Sequence, residues 1–268
     1  MVSRTWRIAA ASAIGTSHVA SGLPCQDFAQ CTVMDTLGGP TLVSIVCDGA
    51  GSAAHSDVGS WLAASTFAEL VELHFEAGGS VAELSREKAS TWIKLVTDAL
   101  EVRARESGHA LRDYACTLLA AIIGTRDAAF LQIGDGAIVV SHGEEDGWSY
   151  VFWPQHGEYA NTTNFVVSAN AADVLEFEIA PRRIDELAMF SDGIENLVLH
   201  QASRTVHGPF FDQMMPPVRK AADPGLDMKL SAGLQSYLGS PKICERTDDD
   251  KSLILASRRP PITEPAAP

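Results

Sequence analysis

The sequence predicts an α+β domain in which strands surround a central pair of helices, without alternating strand–helix–strand units. Between residues 56 and 106 the apolar positions recur at helical spacing along two long stretches. On either side they condense into runs of strand length, separated by Gly, Pro or charged turns. The 268 residues are 46% hydrophobic, ample for one buried core, and no internal repeat divides them.

Residues 6–14 read as the first strand and residues 28–34 as the second, ended by the turn at Gly38, Gly39 and Pro40. The apolar run 42–47 is a third, stopped by Asp48, Gly49, Ala50, Gly51 and Ser52. A helix with Ser56 as its N-cap carries Val58, Trp61, Leu62, Phe67, Leu70, Val71 and Leu73 to Gly78 and Gly79. A second spans residues 83–106, with Leu84, Trp92, Leu95, Val96, Ala99 and Leu100 forming its apolar stripe. After Gly108 the period changes, and 116–123, 128–133, 137–141, 148–153, 165–168, 174–179 and 187–191 are expected strands. Helices are expected at 209–222 and 227–238, with a closing strand at 252–256. These elements form one domain over residues 1–258, followed by a Pro-rich tail at 259–268 expected to be disordered.

Lys and Arg number 20 against 34 Asp and Glu, a formal charge of −14. That balance excludes a general nucleic-acid binder and disfavours anionic membrane surfaces. An acidic protein acting on an anionic substrate needs metal ions to reverse the local sign. The five cysteines (Cys25, Cys31, Cys47, Cys116 and Cys244) show no zinc-knuckle spacing and fit a reducing cytoplasm. No apolar run approaches the roughly 18 residues of a membrane span. Arg4 and Arg7 before residues 8–14 only loosely mimic a leader peptide.

The informative pattern is aspartate at the ends of strand-like runs: Asp27, Asp48, Asp135, Asp192 and the triplet Asp248, Asp249 and Asp250. Three of these stand in Asp-Gly pairs, which is ordinary turn chemistry when met singly. Several strand-end carboxylates converge when their strands share one sheet rim, and hard cations such as Mg²⁺ or Mn²⁺ favour such oxygen ligands. Competing motifs are weak. Gly49 to Ala54 fits G-x-G-x-x-A, but the acidic residue about 20 positions on, Glu69, falls inside a helix. There is no G-x-S-x-G elbow, and the eight histidines lack zinc-hydrolase spacing.

Six segments in order resemble the motifs of the PP2C-type (PPM) metal-dependent serine/threonine protein phosphatases in a bacterial form. They are GTSHVASGLPCQD (15–27), CDGAGS (47–52), ACTLL (115–119), IGDG (133–136), SDGI (191–194) and DDKSLIL (249–255). The resemblance implies a four-layer α-β-β-α sandwich of two antiparallel sheets with a dinuclear metal site at one end. It places the bridging ligand on Asp48, the carbonyl ligand on Gly49, and two further ligands on Asp192 and Asp249. Asp27 corresponds to the acidic residue that holds metal-bound waters, and Asp135 to the position of a third, weaker metal. The implied reaction is attack of a metal-bridging water on phosphoserine or phosphothreonine, with two Mn²⁺ or Mg²⁺ ions about 3.5–4 Å apart. A phosphorylated protein substrate and an opposing Ser/Thr kinase are the implied partners.

Four positions depart from the better-known members: Gln26 replaces a Glu, Ala50 a His proposed as general acid, Gly22 a phosphate-gripping Arg, and Asn196 an Asp. His18 is a candidate to take over one of these roles. The departures leave an alternative, a catalytically weak relative that binds phosphoproteins as a regulatory module. Retention of Asp48, Asp192 and Asp249 opposes it, since convergent carboxylates repel one another unless metals neutralise them.

Overall fold

A computed structural model describes residues 5–142, 147–155 and 163–259. The chain opens with β1 (Arg7–Ala13), α1 (Thr16–Ser21), β2 (Phe28–Thr36) and β3 (Gly39–Cys47). The long helices α2 (Ser56–Glu76) and α3 (Arg86–Ser107) follow. Next come β4 (Leu118–Ile123), β5 (Ala128–Ile133), β6 (Ala137–Ser141) and β7 (Ser149–Tyr150). After them lie α4 (Ala171–Val174), β8 (Glu176–Ala180), β9 (Glu186–Phe190), α5 (Glu195–Val198), β10 (Leu199–His200) and β11 (Thr205–Val206). The chain continues through α6 (Gly208–Lys220), β12 (Gly225–Leu226), α7 (Met228–Leu238), α8 (Pro241–Cys244) and β13 (Lys251–Ser257).

Strands pair in the order β2-β3-β4-β5-β8 in one sheet and β12-β1-β13-β9-β6-β7 in the other. Every pairing in these sheets is antiparallel except β1 with β12. Period-two alternation builds the layers. In β3, Val43, Ile45 and Cys47 meet Phe67 of α2 and Trp92 of α3, while Leu42 and Val46 face the second sheet. There they join Trp6, Ile8, Ile138, Met189 and Ile254 between the sheets. The other face of the second sheet, with Phe190, Leu253 and Leu255, packs on Phe211, Met215, Leu234 and Leu238 of α6 and α7. The result is the four-layer α-β-β-α sandwich. Strands covered on both faces are buried along their whole length, which is why β4 and β5 read as unbroken apolar runs.

Some expected boundaries shift, each for a local reason. Ser56 is the first residue of α2, not its cap, and its hydroxyl donates back to the Ala53 carbonyl. α3 starts at Arg86 because Ser85 caps it, accepting from the Lys88 N–H, while residues 81–83 form a separate 3-10 turn. Asp227 caps α7 as its position suggests, accepting from the N–H groups of Lys229 and Leu230. Residues 165–168 are a turn and not a strand. Val166 is fully buried against the helix-side core, and its N–H donates to the Cys116 carbonyl. Its apolarity thus reflects a plug rather than a ladder. At the expected domain end, Arg258 stacks on Trp6 at 4.8 Å and Arg259 lies 3.4 Å from buried Glu186. Of the expected tail, 259–268, only Arg259 is described, and residues 260–268 lie outside the described residues. No helix among the described residues is long and apolar enough to cross a membrane.

Candidate metal centre

The antiparallel registers bring the aspartates to one rim. β3 and β5 both pair antiparallel with β4, so their C-terminal ends coincide, presenting Asp48 and Asp135 together. In the facing sheet Ala137 and Leu253 both pair with Phe190, so the end of β9 meets the starts of β6 and β13. Asp192 and Asp249 therefore arrive at the same rim. Carboxylate oxygens of Asp48, Asp135 and Asp192 lie within 4.8 Å of one another. Asp27, just before β2, is buried beside them, and Asp249 is exposed at the edge, adding to the negative field on Asp192.

Backbone contacts hold this rim together. The Asp48 N–H donates to Thr117 Oγ1 at 2.9 Å, and the Thr117 N–H returns a bond to the Asp48 carbonyl at 2.8 Å. Close approach explains two of the glycines. A Cβ at Gly49 would stand 2.7 Å from the Gln26 carbonyl oxygen, and one at Gly193 would stand 1.9 Å from that of Asp250. Ser191 Oγ donates to Asp27 at 2.6 Å and accepts from the Ser252 N–H at 2.9 Å, locking the Asp192 turn to β13.

Asp250 is the buried anchor of the 15–27 segment. Its carboxylate accepts from the Gly15 N–H at 2.6 Å, the Gln26 N–H at 2.5 Å and His18 Nδ1 at 2.9 Å. His18 is thus engaged with Asp250. The cationic Lys251 side chain is wholly buried and donates to the Asp249 carbonyl at 2.6 Å. Sequence reasoning noted Asp250 only as one of the Asp triplet and gave it no role, and it singled out neither Ser191, within the Ser-Asp-Gly run, nor Lys251, which follows the triplet. The departures also have structural consequences. Gly22 ends α1 in the left-handed region (φ 69°), where a side chain is strained, Ala50 is buried, and Asn196 faces solvent on α5.

The electrostatics fit a cation. Burial raises Asp27 to about 8, with Asp192 and Asp250 adding to the rise against the Ser191 hydrogen bond. Burial likewise raises Asp192 to about 6, and pushes Asp48 well above the carboxylate range with help from Asp27 and Asp192. Asp192 Oδ1 is buried without a hydrogen-bond partner among the described residues. An oxygen-only donor set with a crowded carboxylate, one of whose oxygens has no partner among the described residues, is what Mg²⁺ or Mn²⁺ satisfies.

A pH dependence follows. The folded metal-free protein retains protons on Asp27 and Asp192 that the unfolded chain releases near 3.8. This contribution to stability is complete below that value and is lost as pH rises through about 6 and about 8. A cation bound at this rim would displace the same protons, so its affinity is expected to rise over that window. Melting temperatures of EDTA-treated protein are expected to fall by several degrees from pH 5.5 to 8.5, while the increment from Mn²⁺ grows. A metal-free melting temperature that rises with pH, together with a constant Mn²⁺ increment, would contradict this.

The protein phosphatase 2C family model matches residues 14–238 of the chain. Serine/threonine-protein phosphatase 3 of Escherichia coli (strain K12) is 35% identical over 253 residues, covering 94% of this chain and 98% of that protein. The catalytic domain of serine threonine protein phosphatase PstP, solved in complex with 2 manganese ions, is similar with a TM-score of 0.60 at 16% identity, covering 94% of this chain and 98% of that one. Serine/threonine phosphatase Stp1 from Staphylococcus aureus gives a TM-score of 0.58 at 14% identity, covering 93% and 94% of the two chains. At these identities the solved structures establish a shared fold.

Proposed function

The chain belongs to the protein phosphatase 2C family and is a metal-dependent phosphoprotein phosphatase; on that premise we propose how its residues divide the hydrolysis of phosphoserine and phosphothreonine. The observation that carries the reading is the convergence of Asp48, Asp135 and Asp192 around the orphaned Asp192 Oδ1. Asp48, the Gly49 carbonyl, Asp192 and Asp249 would hold two ions, Mn²⁺ or Mg²⁺, with Asp135 serving a third, weaker site. Such ions acidify water and offset the charge of the phosphoryl group.

The remaining roles fall to the chain. Asp27, a buried carboxyl beside Asp192, orients water and accepts a proton. Asp250 and His18 are positioning residues that fix the 15–27 segment. With Ala50 and Gly22 in place of a general acid and a phosphate-gripping Arg, the reading relies more heavily on the metals for substrate charge. The buried thiols give no rival nucleophile: burial raises Cys116 to about 12, so it stays protonated at neutral pH. The binding-only alternative draws support from those two departures, but it gives no reason to keep a crowded carboxylate rim.

A cytoplasmic phosphoprotein, kept phosphorylated by an opposing Ser/Thr kinase, is the proposed substrate. The proposed catalytic domain is residues 1–258, with 259–268 as a tail. Phosphate release from phosphothreonine, phosphoserine and phosphotyrosine peptides in Mn²⁺, with and without excess EDTA, tests the substrate class. EDTA-sensitive turnover of the first two is expected; turnover of phosphotyrosine alone would refute it.

A further inference from the structure

A pocket of about 210 Å³ is lined by Leu197, His207, Phe210, Tyr237, Lys242 and Arg246 among others. Its charge is opposite to that of the molecule. The chain carries −14, yet none of the residues that line the pocket is a carboxylate. Lys242 and Arg246 are exposed, and neither makes an ion pair among the described residues. The Tyr237 hydroxyl is raised by burial against the opposing effect of Arg246, so it remains a donor next to that guanidinium. His207 Nδ1 lies 3.2 Å from His200 Nε2, which orients its ring, and Leu197, Phe210 and Ile243 supply apolar walls.

Two of its lining residues, Leu197 and Arg246, come from the segments that deliver the proposed ligands Asp192 and Asp249. Arg246 precedes Asp249 by three residues, at most about 11 Å of chain, and α5, which contributes Leu197, begins three residues after Asp192. An extended peptide covers that distance in about three residues. Resting on the phosphatase reading above, we infer that this pocket docks carboxylate side chains of the substrate protein, about three residues from the phosphorylated one. Unpaired cations in a low-charge niche of an acidic surface select such partners by complementarity and exclude basic ones.

The test compares two phosphothreonine peptides, one with Glu and one with Gln three and four residues to either side of the phosphothreonine. In Mn²⁺ the acidic peptide is expected to be favoured about tenfold in kcat/KM, mainly through KM, and the preference should shrink as NaCl is raised. The Lys242→Glu/Arg246→Glu double variant should abolish the preference. The Lys94→Glu/Arg103→Glu double variant, a charge-matched change at exposed positions of α3, should retain it. Equal kcat/KM for both peptides with wild type, or a preference that survives the double variant, overturns the inference. Failure to turn over either peptide would count against the phosphatase reading instead. Fluorescence anisotropy of the same two peptides then decides the pocket: tighter acidic binding lost in the double variant supports it, and equal binding overturns it.

Discussion

Replacing Asp192 with Ala is expected to lower phosphopeptide turnover in Mn²⁺ by about three orders of magnitude, while making the metal-free protein more stable at pH 8. Both effects have one origin. Asp192 brings a carboxylate within 4.8 Å of Asp48 and Asp135 oxygens, and its own Oδ1 is buried without a hydrogen-bond partner among the described residues. Its charge also helps raise Asp27 to about 8. With metal present the crowding is neutralised; without it, the crowding costs stability. Removing Asp192 relieves that repulsion and removes a proposed ligand together. Thermal melts in EDTA should therefore show an increase of a few degrees for Asp192→Ala, with the Mn²⁺-induced shift lost. A variant that kept turnover within tenfold of wild type, or kept the full Mn²⁺ shift, would remove Asp192 from the proposed ligand set.

The second large effect is expected at Asp250, which orders the segment leading to Asp27 without itself being assigned a metal. Asp250→Ala strands the N–H groups of Gly15 and Gln26 and frees the His18 ring. Unsatisfied buried donors cost about 1–3 kcal/mol each, so urea denaturation should show a loss of about 3–5 kcal/mol. Support lost behind a ligand shell typically costs 10–100-fold in activity or affinity, and kcat/KM should fall in that range. Asp250→Asn keeps one acceptor oxygen and should recover part of both losses. His18→Ala, which removes one of the three contacts, should be milder than Asp250→Ala in stability. If His18→Ala instead left stability intact and abolished turnover, His18 would be acting on the substrate.

The contrast between these two residues explains what was legible in the sequence. Asp48, Asp135 and Asp192 could be read because each follows an apolar run and precedes glycine, a local signal. Antiparallel registers then carry those ends to one rim. The support for the rim is non-local. Asp250 meets Gly15 and Gln26 across 235 and 224 positions, and Ser191 meets Asp27 across 164. No spacing rule announces such contacts. In the fold, the long helices and paired strands were visible from periodicity, whereas the two-residue strands β10, β11 and β12 are too short to show a period. Residues 165–168 misled because burial as a plug and burial in a ladder give the same apolar run. The pocket cations Lys242 and Arg246 stay unremarkable until the fold leaves them without carboxylates.

The most direct measurement is a calorimetric titration of EDTA-stripped protein with Mn²⁺, with phosphate release followed at matched occupancy. Binding of two ions per chain, proton uptake by the buffer during binding, and turnover that rises with occupancy are the expected results. A well-folded protein that binds no divalent cation at the rim, or whose turnover is indifferent to EDTA, would contradict a metal-dependent phosphatase built on Asp48, Asp192 and Asp249.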